Sequence, residues 1–249
     1  MKHAFLVVAA MFVQLAAERV GEAYTLEPIS RVFAPAGSGS TQSFQLTNNS
    51  AERVAVTVSF ATLDLDVDHK ETNRAADDDF LVYPPQILLT PNAKQTIRVT
   101  WLGTPTPASE LVYRMIVQQV PIELLDKSAP ATPTGRLNVL VTYRGSIYIR
   151  PGTAAPNIVL QSARLAKENE RTNLVVTLRN AGTSIGLVKN CTLVVKTPTR
   201  VIDIPAAAMT GINDTRVLAR QTRRYTLPWS TTLDPDVQSI TGTCTFTKP

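Results

Sequence analysis

Between Arg53 and Leu63 the apolar residues Val54, Val56, Val58 and Phe60 stand at every second position. Only an extended strand puts alternate side chains on one face, so this run commits the chain to a sheet with one buried side. Ala93 to Trp101 repeats the pattern. Gln95, Ile97, Val99 and Trp101 share a face there, while Thr96, Arg98 and Thr100 take the other. Thr41 to Thr47 also alternates, and Asn48, Asn49 and Ser50 supply a turn before the next run, which predicts an antiparallel hairpin. Longer strands are expected over Leu111–Val120 and Leu137–Arg150, and shorter ones over Leu174–Leu178, Cys191–Lys196, Arg223–Leu227 and Ser239–Thr247. Asn180, Ala181 and Gly182 form a turn. Pro84, Pro85 and Pro91 keep their neighbourhood out of any central strand. The acidic, polar stretch 64–79 and the proline-containing stretch 126–136 read as loops. Short strands at this spacing, without helical heptads, predict an all-β protein of sandwich type. Arg150, Pro151 and Gly152 mark a boundary, giving domains over 24–150 and 151–249.

The first 23 residues read as a targeting segment and not as part of the fold. Lys2 and His3 are basic, Ala4 to Val13 is apolar but too short to span a bilayer, and small residues follow. Cleavage is expected after Ala23, with Ala17 as the competing position. The chain is therefore expected to be exported. In an oxidising compartment Cys191 and Cys244 either form one disulfide or remain two buried thiols.

Several chemistries are excluded on residue types. The exported part holds a single histidine, His69, with no nucleophile placed beside it, so a catalytic triad has no material. Gly37, Ser38, Gly39 and Ser40 are followed by neither a lysine nor a helix, which makes them a turn and not a phosphate cradle. Asp77, Asp78 and Asp79 lack the glycine spacing of a calcium loop and read as a solvated turn. No enzyme, no cofactor and no metal site is expected. The net charge of +5 favours an anionic group on a partner. The basic residues are scattered and aromatics amount to 6%, so nucleic acid is not expected as that partner.

Several segments, in order, resemble the periplasmic chaperones of the chaperone–usher pilus pathway. They are Arg31 to Gly37, Phe80 to Pro85, Leu89 to Val99, Glu110 to Arg114 with Pro121, and Ile147 to Pro151. The Tyr113-Arg114 pair is similar to divergent branches of that family. The resemblance implies two immunoglobulin-like β-sandwich domains set in an L shape. It implies a partner, the pilus subunit or pilin, that lacks its last strand and borrows one from the chaperone. That strand is Leu137–Arg150, where Leu137, Val139 and Val141 alternate with Asn138 and Thr142. Such an edge also predicts self-association when no subunit is bound. The resemblance further implies basic residues that anchor the subunit's terminal carboxylate. Arg31 matches the family's arginine, whereas Ser146 stands where a lysine is usual. Arg144, two residues earlier on the same face, and Arg114 are the candidates for the second anchor, with Arg98 behind them. Glu110 and Arg150 fall at positions of an interdomain salt bridge whose third member is Asp234 or Asp236. Delivery to an outer-membrane usher completes the implied function. A structural or adhesive surface protein of immunoglobulin-like fold, such as a pilus subunit, is the competing reading.

Overall fold

The computed structural model describes residues 24–121, 139–168, 171–229 and 237–249, and among them the regular elements are strands and short 3-10 turns. In chain order the first half holds β1 (Tyr24–Glu27), β2 (Ser30–Phe33), β3 (Thr41–Asn48), β4 (Val54–Thr62), β5 (Asp64–Leu65), β6 (Glu71–Thr72), β7 (Phe80–Tyr83), β8 (Gln86–Leu89), β9 (Lys94–Trp101), β10 (Leu111–Val120) and β11 (Thr142–Ile149). One sheet runs β1-β3-β9-β7 and the other β2-β11-β10-β4-β8. The alternation read from sequence is what packs them together. Val54, Val56, Val58 and Phe60 are all buried, as are Ile97, Val99 and Trp101. Phe80 stacks on Phe60 with ring centroids 4.3 Å apart and meets Tyr113 edge-on at 5.0 Å. Offset and edge-to-face contacts of this kind add to the burial of apolar area that closes the sandwich.

One glycine sets the edge of the second sheet. A Cβ at Gly145 would meet the Ile29 carbonyl at 2.8 Å. Without that Cβ, Ile29 reaches β11 and accepts a hydrogen bond from the Ser146 amide at 3.0 Å. The chain then enters β2 parallel to β11, pairing Ser30 to Phe33 with Ser146 to Ile149. Ser30 is thereby set opposite Ser146 and Arg31 opposite Ile147.

The second half holds β12 (Ile158–Glu168), β13 (Arg171–Asn180), β14 (Gly186–Lys196), β15 (Val201–Ile204), β16 (Arg216–Val217), β17 (Thr222–Pro228) and β18 (Ser239–Thr247). β12, β13 and β17 form one sheet, and β14 pairs with β15, β16 and β18 in another. A separate core lies between them, built around Leu178, Val188, Leu193, Met209 and Ile212. Cys191 and Cys244 are joined as a disulfide and sit directly opposite each other across β14 and β18.

Three expectations are adjusted. The strand expected over Leu137–Arg150 begins at Thr142 among the described residues, and Leu137 lies outside them. The stretch 64–79 carries the β5–β6 hairpin, nucleated by Asp66, whose carboxylate accepts the amides of Asp68 and Lys70. β12, β15 and β16 were not foreseen. In β12 the register shifts between Leu160 and Ser162, and a bulge of that kind destroys the alternation that sequence reading depends on.

Candidate functional site

The outward face of β11 presents Arg144, Ser146 and Tyr148, with Arg150 just beyond its end, at alternate positions. These residues border a cavity of about 340 Å³ whose other walls are Ile29 to Val32 from the first half and Arg216 and Pro249 from the second. The cleft between the halves is therefore lined by arginines, and no aspartate or glutamate side chain borders it. Arg31 also borders an open depression of about 660 Å³ with Glu27, Ser43, Gln45 and Thr96. Among the described residues Arg31 makes no ion pair and no side-chain hydrogen bond.

The anchor candidates differ in their commitments. Arg114 is fully engaged: its Nε–H donates to Glu71 at 3.1 Å, its Nη2 lies 2.5 Å from the other Glu71 oxygen, and its Nη1 donates to Ser146 Oγ at 2.6 Å. It does not border the cavity. Arg144 gives one hydrogen bond to Glu71, 2.9 Å, and its side chain is about half exposed. Most of its donors therefore remain open to the cleft. Arg98 lies on β9, in the opposite sheet, facing solvent. The structure thus brings Arg31 and Arg144 together and holds Arg114 behind them as a support.

Glu71 had no signal in the sequence, because it is one acid in an acidic stretch. The Arg114 hydrogen bond, helped by Arg144 and Asn73 and opposed by burial, draws its carboxyl from 4.5 to about 2. It is ionised whenever the protein is folded near neutrality and keeps both guanidinium groups oriented. The tip of the same hairpin touches the second half: the Arg224 amide donates to the Val67 carbonyl at 2.8 Å, and Arg224 pairs with Asp68 at 3.2 Å. His69 faces Arg223 there, and burial followed by that guanidinium lowers its pKa.

Glu110 and Arg150 form a close pair at 2.8 Å, with the carboxylate side chain wholly buried. The other Glu110 oxygen accepts the Ile185 amide of the second half at 2.7 Å, and Arg150 donates to the Pro249 carbonyl at 2.8 Å. Every strong partner is satisfied, which is what makes a buried charge tolerable. Asp234, the third member expected of this set, and Asp236 lie outside the described residues.

The donor candidates lead into β11. Val139 is 62% exposed and Leu140 49%. Val141 is half-buried and packs on the first core, with its carbonyl accepting from the Tyr24 hydroxyl at 3.1 Å and the Gln119 amide at 3.1 Å. β11 pairs with β10 along its whole length but with β2 only from Ser146 onward. Among the described residues no second strand is registered against Thr142 or Arg144.

Asp77, Asp78 and Asp79 form a 3-10 turn in which Asp77 accepts the Phe60 amide and Asp79 accepts the Tyr113 hydroxyl. Both carboxylates cap local structure. Among the described residues no group of His, Cys, Asp and Glu is placed to hold a metal ion, and no helix is long and apolar enough to cross a membrane.

Comparison with known proteins gives a consistent set of likenesses. The family described as pili and flagellar-assembly chaperone, PapD N-terminal domain, matches residues 29–155, just over half of the chain. Among solved structures, a chain of the CsuC–CsuE chaperone–tip adhesion subunit pre-assembly complex of Acinetobacter baumannii superposes with a TM-score of 0.57 at 13% identity, over 91% of this chain and 97% of that one. The class 5 fimbriae chaperone CfaA gives 0.53 at 16% identity, over 91% and 99%. A chain of the Salmonella enterica SafA pilin–SafB chaperone complex gives 0.50 at 16%, over 82% and 83%. At these identities the likeness is one of fold. A comparison with curated protein sequences gives no match.

Proposed function

The chain belongs to the pili and flagellar-assembly chaperone family, a family of pilus assembly chaperones and not of enzymes, and from that premise we propose that it captures pilus subunits in the periplasm by lending them the lead-in of β11. The observation that carries this reading is the approach to β11, which exposes Val139 and Leu140 ahead of a strand whose far end runs into a cleft lined by arginines. A subunit short of one strand would pair with this approach and cover its apolar side chains. Each such side chain contributes about 1.5–3 kcal/mol when fully buried. Leu137 extends this series on the sequence pattern. Val141 lies on the same alternation but packs on the chaperone's own core in the free chain, so its share is smaller.

Register is set by charge. The subunit's terminal carboxylate docks on Arg31 and a second arginine of the cleft, whose planar forks suit a carboxylate and never deprotonate. Glu71 and Arg114 hold Arg144 in place without touching the ligand. The loaded chaperone then passes the subunit to an outer-membrane usher, where a neighbouring subunit replaces the donated strand. No nucleotide is called for, because the sequence holds no nucleotide-binding motif.

Co-expression with a pilus subunit encoded beside the protein, followed by co-purification, tests the reading. Wild type is expected to yield a one-to-one complex and Arg31→Ala to lose it. A complex undiminished by Arg31→Ala would move the anchor elsewhere, and the absence of any complex with neighbouring subunits would overturn the capture reading.

A further inference from the structure

We infer that Arg216, from the second half of the chain, is the opposing anchor for the subunit's terminal carboxylate and takes the role left open by Ser146; the inference rests on the capture reading above. Arg216 and the first-half arginines Arg31 and Arg144 border the same cavity. Its backbone is held firmly: Val217 beside it is 1% exposed, the short strand pairs with Gly186 and Leu187, and the Arg216 carbonyl accepts Nη1 of Arg223 at 2.9 Å. Its side chain, by contrast, is exposed and engages no hydrogen bond or ion pair among the described residues.

The neighbouring charges are accounted for. Arg150 is neutralised by Glu110 and also holds the Pro249 carbonyl, while Arg144 shares Glu71 with Arg114. Arg31 and Arg216 keep whole guanidinium groups for a ligand. Ser146 is too short to contribute a cation and already accepts from Arg114, so the usual strand-borne partner of Arg31 is missing. Two guanidinium groups that border one small cavity, with no aspartate or glutamate among its lining residues, suit a planar anion that takes one fork from each. A cavity of about 340 Å³ has room for the last residue of a peptide, with Tyr148 and Ser30 in its wall. A carboxylate held in this way touches both halves at once, so subunit docking and the angle between the halves become one event.

The test uses the full chain and fluorescent probe peptides of alternating valine and threonine. One ends in a free carboxylate, one in an amide, and one in an amide after a final aspartate. Arg216→Ala is expected to weaken the acid-ended peptide roughly tenfold or more, the scale of a lost charge-assisted bond, and to leave the amide-ended peptide unchanged. Arg216→Lys is expected to recover part of the loss. An unchanged melting temperature confirms that the surface variant folds. Equal affinity of wild type and Arg216→Ala for the acid-ended peptide would overturn the inference while Arg31→Ala still reports on the capture reading. Loss on the aspartate peptide alone would also overturn it, by assigning the site to an acidic side chain. If wild type does not distinguish acid from amide, carboxylate anchoring itself fails and this inference falls with it.

Discussion

The last described strand of each half is finished differently: β11 lies between β10 and, from Ser146 onward, β2, whereas β18 lies beside β14 at the edge of its sheet. β18 turns Ser239, Thr241, Thr243, Thr245 and Thr247 to solvent and is fastened to β14 by the Cys191–Cys244 disulfide. β11 has no such staple. Ahead of it stand Val139 and Leu140, both exposed. Polar side chains blunt an edge against new pairing, whereas exposed aliphatics invite it. The comparison teaches that one fold can present two strand surfaces of opposite chemistry, threonine-rich along β18 and aliphatic ahead of β11.

The largest expected effect tests what holds the two strands in relation. Glu110→Ala strips Arg150 and the Ile185 amide of their buried partner. Breaking a buried pair of this kind costs about 3–5 kcal/mol. Urea unfolding followed separately in each half should show this loss together with earlier separation of the halves, whereas an unchanged midpoint would mean that the halves are held by other contacts. Next in size is the staple. Cys191→Ser with Cys244→Ser should lower stability by about 2–4 kcal/mol. Hydrogen exchange of β18 should then rise towards that of β11, and if it does not, threonine chemistry alone suffices to protect the edge.

A smaller stability effect accompanies the sharpest functional one. Val139→Thr with Leu140→Thr gives the lead-in of β11 the surface of β18. Both positions are exposed, so the stability change should be about 0.5 kcal/mol or less. Subunit capture and self-association of the free chain should both fall, as read by co-purification and by sedimentation. Retention of both would assign the donated contacts to residues further upstream. The last effect appears only in acid. The Glu71 carboxyl has a folded value of about 2 against an ordinary 4.5. Its contribution is therefore complete above pH 4.5 and is lost as the pH falls towards 2. Glu71→Gln should flatten the acid side of the stability profile over that window, and an identical slope in the variant would show that Glu71 does not stabilise the arginine pair.

The long strands β3, β4, β9 and β10 of the first half were legible because the signal is local. Leu111–Val120 is a strand as read, and Arg53–Leu63 and Ala93–Trp101 differ from β4 and β9 by a residue at one or both ends. Alternation reports burial on one face, and nothing distant is needed to see it. β12 was hidden by its bulge, and the two-residue β16 is too short to show any period. In the cleft the family pattern pointed to Glu110 and Arg150, which the structure pairs, and to Arg31, whose anchoring role is a proposal.

By itself the sequence determined the all-β character and the expectation of two packed units, and it supplied arginines whose partners it did not assign. Only the tertiary structure decided how those arginines divide. Arg114 became a support and Arg144 a wall of the cleft because the β5–β6 hairpin carries Glu71 onto both. Arg216 entered the cleft because the second half folds across from β11. The physical reason is range: periodicity is written between neighbours along the chain, whereas the charge of a cleft is a sum over side chains that meet only when distant segments pack.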